Sequence, residues 1–255
     1  MKIIYGPVAS WRLGKSLGVD LICSEKKICS FDCIYCQLEK TYRITRQKKS
    51  FISLDKLKKD LQQALHQTTP DVITLSGMGE PTLAKNMNEA IKIIKELTDL
   101  PLAILTNSSL MYDKNVQNDL KKLDIIVAKL DAPNQELFQK ISRPAEGITF
   151  EQTLRGIKEL RRDFRGKFAL QIMFMEENKN YAHELANLSR DIQPDEVQIN
   201  TPLRPCNIKP LAKEELDKIE KAFTGLNTIS VYNSPKPMTD PLDKLELIKR
   251  RRLEP

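Results

Sequence analysis

The spacing of apolar residues switches repeatedly along the chain between a period of two and one near 3.6, which predicts short strands alternating with helices. Leu17, Val19 and Leu21 alternate within residues 16–22 and mark a first strand. Leu54, Leu57, Leu61 and Leu65 share a helical face over 53–69, with Ser53 placed as an N-cap. Residues 71–76 (DVITLS) form a short apolar run that reads as a buried strand. A helix over 86–98 follows, striped by Met87, Ile91, Ile94 and Leu97. Strand patterns recur at 102–105 and 125–130, around a helix at 113–122. Thr149-Phe150-Glu151-Gln152 has the form of a capping box, and Phe150, Leu154, Ile157, Leu160 and Phe164 continue one helix face. A strand at 168–174 puts Phe168, Leu170, Ile172 and Phe174 on one side and Gln171 on the other, with Ala169 and Met173. A helix at 181–190, a strand at 196–200 and a helix at 211–223 complete about six βα units.

Such alternation predicts an α/β fold with a parallel sheet and crossover helices. About six units fall short of the eight of a closed TIM barrel, so the expected architecture is an open, partial (βα)6 TIM-like barrel, with a doubly wound sheet as the alternative. The barrel is assigned to residues 1–228, of which 1–15 lead into the first strand. Residues 229–255 break the rhythm with Pro235, Pro237 and Pro241 and form a short C-terminal extension. A helix is expected there from Asp240-Pro241, ending in Lys249-Arg250-Arg251-Arg252. That basic run is either a solvated helix end or a phosphate-contacting tail.

Composition narrows the partners more than the fold. The chain has 255 residues, 40% hydrophobic and 29% charged, the balance of a folded globular protein. Its 41 Lys and Arg exceed 34 Asp and Glu by the net +7, a surplus compatible with a polyanionic partner. No apolar run approaches the length of a membrane span, and residues 1–7 lack a signal-peptide core, so a cytoplasmic, monomeric protein is expected. His66 and His183 are the two histidines, both in polar helical stretches, which argues against a histidine-rich metal centre.

The cysteines carry the chemistry. Four of the five crowd into one segment, Cys23, Cys29, Cys33 and Cys36, with Cys206 far away. That is a poor disulfide framework and a good pattern for a soft metal site. Cys29-x3-Cys33-x2-Cys36 can hold three irons of a cubane cluster and leave the fourth open for a ligand. Closure of the site by Cys23, giving a non-catalytic metal-binding module, is the alternative. A second signal is Ser76-Gly77-Met78-Gly79-Glu80-Pro81-Thr82 after the second strand. The segment is either a plain turn or a site in which Gly77 and Gly79 allow close approach of the backbone to a ligand and the Glu80 carboxylate pairs with a ligand ammonium group.

Together these two motifs resemble the radical S-adenosylmethionine (radical SAM) superfamily, in which C-x3-C-x2-C follows the first barrel strand and a Gly-Gly-Glu-Pro-like segment the second. Tyr5–Gly14, Ser16–Asp20, Gly79–Thr82, Thr106–Ser109, Lys129–Asp131 and Gln198–Arg204 extend the likeness to the group containing the wyosine-forming tRNA synthases and their uncharacterised relatives. The resemblance implies that Cys29, Cys33 and Cys36 ligate a [4Fe-4S] cluster whose open iron binds SAM. It implies that Tyr35 lies against adenine and that Gly77, Gly79 and Glu80 hold the methionine end. Asn107, Ser108 and Asp131 would reach the ribose or carboxylate, and Gln171 and Asn200 would complete the pocket. Arg12, Lys129 and Arg204 are candidates for contact with the substrate. The implied activity is reductive cleavage of SAM to a 5′-deoxyadenosyl radical that abstracts hydrogen from a substrate, with an electron supplied by a reductase, ferredoxin or flavodoxin. RNA, above all tRNA, is the expected substrate, and a protein, peptide or small metabolite is the alternative. Two departures stand out: Trp11 replaces the group's usual Arg, and residues 1–22 contain no cysteine for a second cluster.

Overall fold

The computed structural model describes residues 1–251, with side chains to Arg250. β1 (Ile4–Ser10) and β2 (Gly14–Val19) form an antiparallel hairpin at one edge of an eight-stranded sheet. Two short strands, β3 (Ile28–Cys29) and β4 (Arg43–Ile44), then pair separately in parallel. The main sheet resumes at β5 (Val72–Leu75), parallel to β2. It continues in chain order through β6 (Leu102–Thr106), β7 (Ile125–Lys129), β8 (Lys167–Met173), β9 (Glu196–Asn200) and β10 (Thr228–Ser230). β10 does not pair back to β1, so the curled sheet is an open, partial barrel. Its central strands are buried on both faces, as their unbroken apolar runs require.

The helices are α1 (Leu54–Gln67), α2 (Met87–Leu97), α3 (Lys114–Leu120), α4 (Gln135–Ser142), α5 (Phe150–Asp163), α6 (Ala182–Ile192), α7 (Lys213–Glu220) and α8 (Lys244–Arg251). Ser53 caps α1 through the Lys56 amide, and Thr149 with Gln152 forms the expected capping box of α5. The apolar stripes of α1 to α7 join the core formed by the sheet.

Three features differ from the sequence pattern. β1 contains Gly6-Pro7, a pair that reads as a turn and is tolerated because β1 is an edge strand. β10 crosses residue 228 and adds a seventh parallel strand, since Thr228–Ser230 completes the cover of β9. The C-terminal helix begins at Lys244 rather than at Asp240-Pro241, because the Asp243 carboxylate caps the Glu246 amide at 2.9 Å.

The basic run at the end of α8 is not a solvated tail at Arg250. That side chain is buried, ion-paired to the buried Asp20 at 2.6 Å and to Glu246 at 2.8 Å. It also donates to the Lys2 carbonyl and lies 4.4 Å over the Tyr5 ring. The Arg251 side chain and Arg252 lie outside the described residues. α8 is therefore fastened across the barrel edge at β1 and the end of β2. Breaking a buried pair strands its remaining charge, so Arg250→Ala should lose about 3–5 kcal/mol in urea unfolding; a loss below about 1 kcal/mol would contradict this anchoring.

Candidate metal and cofactor site

The C-terminal ends of the parallel strands, with the β1–β2 hairpin, surround a cavity of about 370 Å³, within the range of small-molecule sites. The expected residues Cys29, Cys33, Cys36, Tyr35, Gly77, Gly79, Glu80, Asn107, Gln171, Asn200, Arg12, Lys129 and Arg204 all line it. Cys29 ends β3, and its carbonyl accepts from the Thr45 amide at 2.9 Å. Cys33 and Cys36 follow in the loop, where the Cys36 amide donates to the Cys33 carbonyl at 3.0 Å. Burial pushes the Cys33 thiol up to about 12 and the Cys29 thiol to about 11. Cys23 is absent from the cavity wall, and its sulfur donates to the Met1 carbonyl at 3.4 Å. Cys206 likewise turns to its own loop, donating to the Ile208 carbonyl at 3.3 Å.

The Gly77–Glu80 loop is held between two carboxylates. A Cβ at Gly77 would stand 2.1 Å from the Asp20 carboxyl carbon, and one at Gly79 only 1.6 Å from the Ile28 carbonyl oxygen. The Met78 amide donates to Asp20, and the Ile28 amide to the Met78 carbonyl, each at 3.1 Å. Glu80 is buried with both oxygens engaged. Oε1 accepts from the Thr82 amide and from the Thr82 and Thr106 hydroxyls, and Oε2 accepts from the Asn107 amide at 2.7 Å. Burial raises its pKa against the pull of these donors. Glu80 thus braces the loops after β5 and β6 while still lining the cavity. Asn107 carries the brace onward, its Nδ2 donating to Ser30 Oγ at 2.8 Å and lying 3.5 Å from Cys29 Sγ.

Two expected cofactor contacts do not line the cavity. Ser108 adopts φ +69°, which turns its hydroxyl to the Lys129 carbonyl at 3.0 Å. Asp131 accepts from the Tyr35 hydroxyl and from the Met173 amide at 2.7 Å, and its carboxylate lies 3.7 Å from Lys129 Nζ. Tyr35 is thereby fixed by its hydroxyl, with Lys129 Nζ 4.3 Å over its ring. Burial, followed by the Asp131 charge, holds the Tyr35 pKa well above the ordinary tyrosine value. Gln171 and Asn200 face the cavity from β8 and β9, as strand alternation places them.

Sequence reasoning missed Lys27, Lys236, Arg250 and Asp20. The first three line the cavity, and Asp20 braces it from behind. Lys27 is 4% exposed, and its Nζ has no hydrogen-bond partner of ordinary geometry. Burial works to lower its pKa, but the sulfurs of Cys36, Cys29 and Cys33 outweigh that and hold it above the usual lysine value.

A model of the radical SAM superfamily matches residues 27–189. The chain belongs to the radical SAM superfamily. A UPF0026 protein of Synechocystis sp., slr1464, is 42% identical over 83% of this chain and 78% of its own length. A protein of Brachyspira hyodysenteriae named GTPase Obg is 36% identical over 90% of this chain, which spans only 35% of that relative. Streptococcus suis SuiB bound to SAM shares the fold with a TM-score of 0.63 at 16% identity, over 83% of this chain and 50% of that one.

Members of this superfamily use a [4Fe-4S] cluster and SAM, and the residues present fit both. Three soft thiols share one wall, and a buried ammonium with no other partner faces them. Among the described residues no three Cys, His, Asp or Glu side chains stand grouped as ligands of one ion, whereas a cubane takes each thiolate on a separate iron. After anaerobic reconstitution, Cys29→Ala, Cys33→Ala and Cys36→Ala should each lose the cluster iron, while Cys23→Ala keeps it. Iron lost with Cys23→Ala as well would restore the four-cysteine site. In unloaded protein, alkylation at Cys29 should climb roughly tenfold per pH unit between about pH 8 and 10, because only the thiolate reacts; a plateau by about pH 9 would contradict the burial of that sulfur.

Proposed function

We propose that this chain is a radical SAM enzyme whose substrate is anionic, and that the substrate is RNA. The observation that carries this reading is the charge of the cavity. Six cations, Arg12, Lys27, Lys129, Arg204, Lys236 and Arg250, line it against one lining acid, Glu80, although Arg250 is already paired with Asp20 and Glu246 and Lys129 lies beside Asp131. Such a site concentrates phosphate or carboxylate groups at its mouth. When bound, the cluster and SAM supply a 5′-deoxyadenosyl radical able to take a hydrogen atom from the substrate.

The chain's own residues would do the rest. Cys29, Cys33 and Cys36 hold the cluster, and the Gly77–Glu80 backbone, Asn107, Gln171 and Asn200 form the wall for SAM. Lys129 lies between the Tyr35 ring and the Asp131 carboxylate, and Arg12, Arg204 and Lys236 would orient the substrate. Apolar groups of Leu105, Val127, Met173 and Val231 keep water from the reacting centre.

RNA is favoured over a small anion by the surface beside the cysteine loop. Tyr42 is 70% exposed, with Lys26 Nζ 4.5 Å over its ring. Lys40, Arg43, Arg46 and Lys49 are exposed along the same segment, and none forms an ion pair among the described residues. An exposed aromatic among cations suits stacking of an unpaired base beside phosphate contacts. Anaerobic protein reduced with dithionite should release 5′-deoxyadenosine from SAM, faster with bulk tRNA present. Tyr42→Ala should weaken tRNA binding by about 1–3 kcal/mol, the usual worth of one stacked base. Cleavage that ignores tRNA but responds to a peptide or metabolite pool would overturn the RNA reading.

A further inference from the structure

Lys27 lies two residues before the first cysteine ligand and belongs to no motif. Its backbone is pinned from β4, where the Tyr42 and Arg43 amides donate to its carbonyl at 3.0 and 3.3 Å. Its side chain lines the same cavity as Cys29, Cys33 and Cys36, with its ammonium buried. No carboxylate is paired with it among the described residues. A buried ammonium without a partner is strongly unfavourable, and a chain tolerates one where an anion completes the site. Three thiolates around an iron–sulfur cubane supply that anion, with a net negative charge that grows by one unit on reduction.

We infer that Lys27 is a positioning residue for the cluster, whose buried ammonium neutralises the three-thiolate site and raises the potential at which the cluster accepts its electron. The direction follows from Coulomb's law in a poorly solvated site: a fixed cation favours the more negative, reduced form. Lys129 also acts on Cys33, but its charge is shared with Asp131 at 3.7 Å, and Asn107 is a neutral donor to Cys29 Sγ, so Lys27 is the cation without a carboxylate partner beside the three sulfurs. The side of the cluster held by cysteines would thus be compensated from within the chain. The inference rests on the superfamily's cluster and not on the identity of the substrate.

The test uses anaerobically reconstituted full-length protein with Lys27→Met, Lys27→Gln and Lys27→Arg. Iron is counted per chain, folding is checked by circular dichroism, and the cluster is titrated by spectroelectrochemistry without substrate. Lys27→Met and Lys27→Gln should lower the equilibrium constant for one-electron reduction by about tenfold or more, a fall of about 59 mV per tenfold. Lys27→Arg should stay within about threefold of the unmodified protein. A potential unchanged within about twofold in Lys27→Met would overturn the inference, whatever tRNA does to turnover. Should the neutral variants fail to retain iron, retention by Lys27→Arg alone supports charge compensation. Loss of iron from all three would show that the site needs the shape of lysine rather than its charge, and would also overturn it.

Discussion

The site depends on one buried carboxylate, Asp20, at the end of β2. Oδ1 accepts from the Ile22 and Cys23 amides, and Oδ2 accepts from the Met78 amide and from Arg250. Four separate pieces of chain are thereby held to one point: the first parallel strand, the start of the cysteine loop, the Gly77–Glu80 loop and the C-terminal helix. A buried anion with this many donors is stable only if the cation arrives as well, which explains why a residue 230 positions away completes it. Gly77 follows from the same constraint, since any side chain there would strike the carboxylate.

A second carboxylate, Glu80, repeats the device one strand further on. It ties the loop after β5 to the loop after β6, and Asn107 passes that order to Ser30 and the Cys29 sulfur. A third, Asp131, fixes Tyr35 and Lys129. The acids near the cavity are therefore consumed in holding loops, and Asp20 and Asp131 do not line it at all. The charged side chains that line the interior are therefore mainly basic.

Much of this was legible in the sequence because strand ends and periodicity are local properties. Gln171 and Asn200 could be placed from alternation within β8 and β9, and the cysteine spacing alone separated Cys29, Cys33 and Cys36 from Cys206. What was not legible has a common physical source, the direction of a side chain chosen by distant partners. Ser108 and Asp131 sit at strand ends as expected, but a left-handed turn rotates the first away and the Tyr35 hydroxyl captures the second. Arg250 reads as a solvated cation because nothing local announces Asp20. β1 was hidden by Gly6-Pro7. Lys27 carried no signal, since a single lysine has no period.

The central claim is that three cysteines of this cavity hold a cluster with one iron open to SAM. It is tested most directly by electron paramagnetic resonance of the anaerobically reconstituted, dithionite-reduced protein, recorded before and after addition of SAM. A reduced [4Fe-4S] signal should appear and change shape when SAM is added, as expected if SAM takes the open coordination position. A signal that ignores SAM, or a colourless protein containing zinc, would contradict it.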